Sequence, residues 1–260
     1  MTGHAAAAIG FSLAMAVALV VMVPTAGDPV ALAAPINVAN ANIFSGTPAV
    51  GALFFRQGGV LTHFCTASVV RSKHENLLIT AAHCMQGRSL TPAGAVIFAP
   101  MYHDGRFPYG RWIVRASYTD RQWRVRQDPN DDVAFLVAGR PGRRIQKYTG
   151  GETLDTGTHL PQEVRVVGYP NAMNLPVFCD ANARPFDRKN LWQMVFDCTD
   201  YTNGTSGGPF LAHVSGATGT GRVIGVIGGF EEGGYTPGIS YSARFGRVIA
   251  ALFRVAQATS

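Results

Sequence analysis

The sequence lacks tandem repeats, low-complexity tracts beyond its first 34 residues, and any pair of cysteines at C-x-x-C spacing. The first absence excludes repeat architectures such as solenoids and propellers. The last argues against a zinc site, because structural zinc usually takes closely spaced cysteine pairs. Charged residues make up only 15% of the 260 residues. The composition is that of an ordinary globular protein with one or two domains.

Helical periodicity is also scarce. Short apolar or alternating runs dominate instead, and Gly, Pro, Asp or Asn bound most of them, which is typical of strands in a sandwich or barrel. The 30 Gly and 15 Pro residues support this prediction because they punctuate short strands. The predicted strands are Val50–Phe55, Thr66–Val70, Leu77–Thr80, Ala95–Ala99, Trp112–Val114, Val133–Val137, Val164–Val167, Trp192–Phe196, Pro209–Leu211, Val223–Ile227 and Ile239–Ser242.

One segment near the end of the chain does have a helical pattern, with apolar residues recurring at spacings of three and four on one face. These residues are Phe245, Val248, Ile249, Leu252 and Phe253. We therefore expect many strands followed by a closing helix. The segment Gly139–Gly151 contains a proline and three basic residues. It is predicted to cross between two halves of the fold.

Residues 1–33 are predicted to be a cleaved export signal. The uncharged run Ala5–Val23 is followed by Pro24 and then by A-L-A, a small-x-small cleavage pattern that ends at Ala33. No Lys or Arg precedes the run, which departs from the usual pattern of a signal. An uncleaved membrane anchor is the alternative, because the run of 19 residues is close to the length that spans a membrane. The run is Ala-rich and only weakly hydrophobic, which disfavours an anchor. We expect a secreted protein with no stable membrane association once the signal is cleaved.

The chain carries a formal net charge of +6. Its arginines are scattered and have aromatic neighbours, so nucleic-acid binding is one interpretation. The arginines in question are Arg106, Arg111, Arg115, Arg121, Arg124, Arg126, Arg140, Arg143 and Arg144. No nucleic-acid motif accompanies them. We therefore predict a solvated basic face and no nucleic-acid partner.

The chain has four cysteines, Cys65, Cys84, Cys179 and Cys198. An even number in an exported chain predicts two disulfides. Four cysteines allow three pairings, and the residues by themselves leave all three open.

His83 lies in the run T-A-A-H-C, directly after the predicted strand Leu77–Thr80. Histidine is the side chain best suited to accept a proton near neutral pH. A strand end and the adjacent Cys84 can hold it rigidly. A lone histidine is usually a surface or core residue, but these neighbours favour a general base.

Asp132 directly precedes the predicted strand Val133–Val137. An acid at this place can enter the interior, orient an imidazole and stabilise the imidazolium. The turn-rich run D-P-N-D-D, which ends at Asp132, also fits a simple turn. It lacks the Gly and distal Glu of a calcium loop. Asp131 is the rival acid, and we choose Asp132 because it adjoins the strand.

Ser206 lies in the run N-G-T-S-G-G-P. Glycines on both sides let the backbone approach a substrate. The amides of Gly204 and Ser206 can then point together at a developing oxyanion. The alternative is a Gly-rich hairpin. The glycosylation sequon N-G-T that begins at Asn203 is discounted as chance.

In the order His, Asp, Ser, these three signals resemble the trypsin-like (chymotrypsin-fold) serine peptidases, particularly their secreted bacterial members. The resemblance covers roughly residues 48–255. It includes H-F-C, T-A-A-H-C, D-V-A-F-L, G-T-S-G-G-P and P-G-I as they stand in this sequence.

The resemblance implies an all-β fold of two six-stranded antiparallel barrels with a C-terminal helix, and an active site in the cleft between the barrels. The first barrel, within residues 34–145, is expected to carry His83 and Asp132. The second, within residues 146–260, is expected to carry Ser206. The family also implies the disulfide Cys65–Cys84, which leaves Cys179–Cys198.

The implied activity is that of a serine endopeptidase acting on proteins or peptides. Ser206 attacks the carbonyl, His83 takes its proton, Asp132 orients His83, and the Gly204 and Ser206 amides bind the oxyanion. No cofactor and no metal are expected, and we expect a monomer.

The sequence departs from the family beside the nucleophile. Many members have Asp there, paired with a new amino terminus after zymogen cleavage, whereas this chain has Thr205. Thr cannot form that ion pair. We therefore expect the oxyanion loop to be ordered without a unique amino terminus.

The specificity pocket also departs from the family. Asp200 lies six residues before Ser206, where members that cut after Lys or Arg have Asp. Asp200 therefore suggests a basic preference. The family's cysteine four residues before the serine is replaced by Thr202, so Asp200 as an ordinary loop acid is an equal alternative.

Gly228, Phe230 and Gly238 are expected to form the rest of the substrate-binding wall, with Phe230 narrowing the pocket. Glutamyl endopeptidases resemble this chain in V-G-Y-P and G-T-S-G-G-P, but they use a His on that wall. Ile227 or Gly228 stands there in this chain, so glutamyl specificity is a less supported alternative.

Two further functions remain open. A catalytically silent binding protein on the same scaffold is disfavoured because the triad residues and the oxyanion glycine are all present. An esterase with a G-x-S-x-G elbow needs an acid and then a His after the serine. Only His213 follows Ser206, and alternating helices are missing.

Overall fold

The structure is a computed structural model that describes residues 1–2, 39–57, 60–91 and 95–260. The predicted export signal lies almost entirely in residues 3–38, outside the described residues. Residues Asn37–Ser260 form one compact unit. No helix among the described residues is long and apolar enough to cross a membrane.

The described chain is mostly β-structure with three helices. The strands are β1 Asn42–Ile43, β2 Val50–Gln57, β3 Val60–Val70, β4 Leu77–Thr80, β5 Ile97–Pro100, β6 Trp112–Thr119, β7 Ala134–Gly139, β8 Thr153–Leu154, β9 Gln162–Gly168, β10 Val177–Arg188, β11 Leu191–Asp197, β12 Pro209–Ala212, β13 Arg222–Val226 and β14 Ile239–Ala243. The helices are α1 Arg121–Arg126, α2 Gln146–Thr149 and α3 Arg247–Thr259.

The first half is a closed antiparallel barrel with the strand order β2-β3-β4-β7-β6-β5, in which β5 pairs back with β2. Strand β4 is buried at all four positions, and so are the first five residues of β7. Such short, continuous apolar strands suit the interior of a small barrel, whose inward side chains fill the core. The largest of these fully buried side chains include Trp112, Phe98 and Phe135.

The second half is an eight-stranded sheet with the path β14-β11-β10-β9-β12-β13-β8, and β1 pairs with β10. Six of these strands, β9 to β14, form its antiparallel body, and the two-residue strands β1 and β8 are additions at its margins. Strand β8 runs parallel to β13. The Gly228 amide donates to the Tyr241 carbonyl, which draws the end of β13 to β14. The predicted all-β, chymotrypsin-like fold class is confirmed.

The closing helix is also confirmed, and it packs against the barrel. Ile249, Leu252 and Ala256 form the buried face of α3, and the Phe253 ring lies 5.3 Å from that of Phe135 on β7. Of the five residues on the predicted apolar face, Val248 is not buried and is 47% exposed. Val248 directly precedes Ile249, and successive residues are about 100° apart around a helix. The contact between this helix and the barrel is too narrow for both side chains to face it.

The predicted crossover Gly139–Gly151 contains α2 and ends where the two halves are joined by backbone hydrogen bonds. The Glu152 amide donates to the Val69 carbonyl on β3, and the Arg71 amide donates to the Glu152 carbonyl, each at 2.8 Å. The Glu152 side chain is fully buried and accepts the Gly221 amide at 2.6 Å. Its Oε1 atom has no hydrogen-bond partner in the part of the chain that the structure describes. Burial raises the pKa of Glu152 to about 8.

We expect Glu152→Gln to remove a pH dependence of stability. The carboxyl stays neutral in the folded chain up to about pH 8, whereas in the unfolded chain it ionises above about pH 4.5. The stability that depends on the neutral form is thus complete below about pH 4.5 and is lost as the pH rises through about 8. Urea unfolding should show a free-energy difference between wild type and Glu152→Gln that changes by at most about 1.4 kcal/mol per pH unit.

The matched control for this experiment is Glu163→Gln, which removes an exposed carboxylate on β9. Its unfolding free energy should stay parallel to that of the wild type between about pH 5 and about pH 8. A wild type and a Glu152→Gln variant whose curves run parallel over this interval would contradict the assigned state of Glu152.

Two disulfides are present, Cys65–Cys84 and Cys179–Cys198, the pairings that the family resemblance implies. The first joins β3 to the 3₁₀ turn His83–Met85 that directly follows β4 and Ala81–Ala82. The second joins β10 to the segment after β11. The first bridge lies in the barrel half, and the second lies within the second half, where both of its cysteines are buried.

Candidate active site

Asp132 is fully buried and directly contacts His83. Its Oδ1 accepts the His83 backbone amide at 2.8 Å, and its Oδ2 contacts His83 Nδ1 at 2.7 Å. Oδ2 also accepts the Gly229 amide at 2.8 Å. Three hydrogen bonds therefore hold the carboxylate, and it in turn holds both the ring and the backbone of the histidine.

Asp132 reaches this position from a 3₁₀ turn rather than from the strand itself. It caps the turn Pro129–Asp131, and β7 begins two residues later at Ala134. The buried side chain of Gln193 joins this turn to the segment that carries Phe230. Its side-chain amide donates to the Pro129 carbonyl, and its Oε1 accepts the Phe230 amide. The turn is thus fixed from the second sheet.

The neighbouring acid, Asp131, is also buried, but no hydrogen bond joins it to His83 in the described part of the chain. Burial, with the nearby charges of Asp120 and Asp128, raises the pKa of Asp131 to about 6. Of the two acids that the sequence offers, Asp132 is the one that contacts the imidazole.

His83 begins the 3₁₀ turn His83–Met85 and has a side chain that is 10% exposed. Burial by itself lowers the pKa of His83. The charge and hydrogen bond of Asp132, with the more distant charge of Glu232, outweigh burial and raise the pKa above its usual value. Because Nδ1 is engaged by Asp132, Nε2 is the nitrogen left for a proton-transfer partner.

Ser206 lies in a loop whose backbone is held by the barrel. Thr66 on β3 donates through its amide to the Ser206 carbonyl at 2.7 Å, and through its hydroxyl to the Gly204 carbonyl at 2.9 Å. Gly204 has a φ of 98°, and a Cβ there would lie 2.5 Å from the Tyr169 carbonyl oxygen. Glycine is therefore required at residue 204 both by conformation and by space.

The amides of Gly204 and Ser206 donate to no protein group among the described residues, unlike those of the adjacent Thr205, Gly207 and Gly208. Unpaired amides are uncommon beside a fixed loop, and they are what an oxyanion site requires. Thr205 is buried and its hydroxyl donates to the Thr202 carbonyl at 2.8 Å. A local, uncharged hydrogen bond therefore holds the residue beside Ser206.

His83 and Ser206 line the same cleft, of about 870 Å³, at the boundary between the barrel and the second sheet. Within the described residues, no hydrogen bond joins the Ser206 hydroxyl to the His83 ring. Such contacts are often long before a substrate is bound.

None of the four predicted substrate-binding residues lines this cleft, although a chain neighbour of each one does. Asp200 is exposed and accepts the Thr199 hydroxyl, and Gly228 packs beside Asp132. Phe230 packs against Phe186 and Tyr241, and the Gly238 carbonyl accepts the Cys198 amide. The neighbours that line the cleft are Tyr201, Ile227, Glu231 and Pro237.

The conformation of the loop that carries Asp200 explains why Tyr201 lines the cleft and Asp200 does not. Tyr201 turns inward, is nearly completely buried, and donates its hydroxyl to the Val166 carbonyl at 2.7 Å. Asp200 has a φ of 69° and turns outward. Tyr201, and not Asp200, therefore lines the cleft at this place.

A metal ion does not fit this site. Among the described residues, the group with suitable ligand atoms is Cys65, His83 and Cys84. The two cysteines are bonded to each other in a disulfide, so neither offers the thiolate that binds a metal.

A family model for the trypsin-like peptidase domain matches residues 65–226. The chain belongs to this family. Its family and its fold are those of the trypsin-like peptidase domain. The matched segment includes all three predicted triad residues and runs from the first cysteine of the barrel to the end of β13.

Solved structures of bacterial and other proteases share the fold. The protease Anisep from Arthrobacter nicotinovorans is 24% identical, with a TM-score of 0.71, over 84% of this chain and 99% of that one. The thermostable serine protease AL20 from an extremophilic microorganism is 24% identical, with a TM-score of 0.69, over 82% and 99%. A Glu endopeptidase is 15% identical, with a TM-score of 0.64, over 86% and 99%.

A curated relative is the extracellular metalloprotease of Bacillus subtilis (strain 168), 24% identical over 169 residues. The match covers 65% of this chain and 52% of the relative, so the chain spans about half of that protein's length. The relative's name refers to a metal, but this chain has no fitting set of metal ligands among its described residues.

Two groups that fix the site, the Thr66 side chain and the Gly229 amide, were not predicted from the sequence. Thr66 lies 138 residues from Gly204, and Gly229 lies 97 residues from Asp132. One residue is an ordinary strand threonine and the other acts through its backbone. Neither carries a local signal that could have indicated its role in this peptidase.

Proposed function

We propose that this chain is a secreted serine endopeptidase that cleaves peptide bonds through an acyl-enzyme. The observation that carries the proposal is the buried Asp132–His83 pair beside a cleft lined by Ser206. The two unpaired amides of Gly204 and Ser206 support it. A structural histidine would not need both a buried carboxylate and a neighbouring pair of free amides.

In the proposed reaction, Ser206 Oγ attacks the carbonyl carbon of the scissile bond while His83 Nε2 takes the hydroxyl proton. The Gly204 and Ser206 amides stabilise the oxyanion, and Asp132 stabilises the imidazolium. His83 then gives the proton to the leaving amine. Water attacks the acyl-enzyme with His83 again as the base, which restores Ser206.

The proposed substrates are proteins or peptides. Asp200 suggested a preference for basic residues, but Asp200 does not line the cleft. Glu231 and Glu232 do line it, so these two acids are the proposed source of that preference. Glutamyl specificity is not favoured, since Ile227 lines the wall where that specificity uses histidine. Both disulfides fit an extracellular location, and we propose that the mature chain acts there as a monomer.

The proposal is tested by covalent trapping with a serine-directed phosphonate. We expect one adduct per chain, and peptide mapping should place it on Ser206. Acid-denatured protein is the control and should not react, because the reagent depends on an activated hydroxyl. A native protein that stays unlabelled, or an adduct on another serine, would contradict the proposed function.

A further inference from the structure

Arg88 lies on the barrel wall of the cleft, in a segment fixed to the proposed base. It follows His83 by five residues. The Gln86 amide donates to the His83 carbonyl, and the Arg88 amide donates to the Met85 carbonyl, each at 3.1 Å. Gly87 between them has a φ of 67°, which a glycine adopts readily. The position of the Arg88 backbone therefore follows that of His83.

Two aromatic rings hold the Arg88 side chain. Its guanidinium carbon lies 4.3 Å from the ring centroid of Phe55 on β2 and 4.2 Å from that of Phe64 on β3. The two rings are themselves packed edge to face, with centroids 5.4 Å apart. Stacking of this kind fixes the plane of the guanidinium and leaves its N–H donors free at the rim.

The guanidinium has no ion-pair partner within 4.0 Å among the described residues. The charged side chains that line the cleft, apart from His83, are Arg88, Glu231 and Glu232. Both glutamates belong to the 3₁₀ segment Phe230–Gly233 of the second half. The barrel wall of the cleft therefore presents a cation, and the opposite wall presents two acids.

The proposed reaction determines which part of the substrate, before or after the scissile bond, lies along the barrel wall of the cleft. His83 must protonate the leaving amine, so the chain that begins with that amine departs past the imidazole. His83, the Cys65–Cys84 disulfide, Phe64 and Arg88 all lie on this wall. A substrate segment that leaves past the imidazole therefore has the stacked guanidinium on the same wall of the cleft.

We propose that Arg88 selects substrates with an acidic residue shortly after the scissile bond, by binding its carboxylate. This inference rests on the proposed endopeptidase function and names a substrate feature for it. The planar, pre-positioned guanidinium can donate two parallel N–H bonds to a carboxylate. An amide of the same size at that position of the substrate accepts at most one, and carries no charge.

The test uses internally quenched peptides that share one cleavage site and differ only in Asp or Asn at one of the first three positions after it. For the wild type, kcat/KM for the best-placed Asp peptide should exceed that for its Asn partner by about tenfold, equivalent to about 1.4 kcal/mol. The ratio should fall towards one in Arg88→Gln. It should invert in Arg88→Glu, and it should shrink for the wild type in about 1 M salt.

Arg126→Gln is the matched control, because Arg126 is an exposed arginine on α1 and its loss changes the net charge equally. It should keep the wild-type ratio. Arg88→Lys should keep part of the preference, since it keeps the charge but not the planar fork. An Asp-to-Asn ratio that is the same in wild type and Arg88→Gln would overturn the role of Arg88. A wild type that cleaves no peptide and takes no phosphonate would instead overturn the proposed function.

Discussion

Ser206→Ala should lower kcat/KM by about 10⁵-fold or more, because triad members act as a unit and the loss of the nucleophile removes the whole covalent pathway. The fold should survive. The Ser206 hydroxyl makes no hydrogen bond among the described residues, and the loop is held through the Ser206 and Gly204 carbonyls by Thr66. The measurement is steady-state hydrolysis of a quenched peptide, together with thermal unfolding of the same preparations.

Ser215→Ala is the control for this variant, because Ser215 is an exposed serine in the loop after β12. It should retain wild-type kinetics and phosphonate labelling. If Ser206→Ala were folded and kept more than about a tenth of the wild-type kcat/KM, another nucleophile would be at work. The catalytic assignment of Ser206 would then be wrong.

Asp132→Asn should lower kcat by about 10⁴-fold. An amide in place of the carboxylate has one acceptor oxygen, but three N–H groups now donate to Asp132, from the His83 amide, His83 Nδ1 and the Gly229 amide. The NH₂ group of Asn then favours the tautomer of His83 with its proton on Nε2, which cannot accept the proton of Ser206.

The same variant should move the acidic limb of the pH–rate profile. Asp132 raises the pKa of His83, so the wild-type rate falls as the pH drops through a value above the usual histidine pKa. Loss of the Asp132 charge lowers the pKa of His83, and the residual activity should therefore persist to lower pH. Kinetics of both proteins over about pH 5 to 9 measure this shift.

Asp131→Asn is the matched control for Asp132→Asn. Asp131 is the adjacent buried acid, and its raised pKa of about 6 already makes part of its population neutral. Its amide variant should keep kcat within about threefold and keep the position of the acidic limb. An effect as large as that of Asp132→Asn would reassign the orienting acid to Asp131.

Eleven predicted strands have counterparts in the structure. Runs of apolar or alternating residues, bounded by turn residues, are local features that indicate where a partly buried strand begins and ends. The predicted Leu77–Thr80 coincides with β4, where all four residues are apolar or β-branched. Strand β10 was missed. Its sequence V-F-C-D-A-N-A-R-P-F-D-R contains five charged or amide side chains and a proline. No local pattern marks it as a strand, and it forms through pairing with β9 in its first half and with β11 in its second.

The predicted site residues also divide into those that the local sequence identifies and those that it does not. His83, Asp132 and Ser206 are found from short runs around each residue, because glycines, small residues and a strand end are local requirements of their chemistry. The substrate-binding residues are not. Asp200 was assigned by counting from Ser206, but the loop turns it to solvent and buries Tyr201 instead. Counting along a loop cannot foresee which residue takes the positive φ.

The sequence alone determined the strand-rich fold class, the closing helix and the candidates His83, Ser206 and an acid at residue 131 or 132, since each depends on residues that are near one another in the chain. Only the tertiary structure decided which acid contacts His83, that Thr66 and Gly229 fix the site, and that Arg88 is clamped between Phe55 and Phe64. These contacts join residues that are up to 138 positions apart. They exist because the closed barrel and the second sheet bring distant loops to one cleft. The local sequence of either loop does not determine which residues of the other loop it contacts.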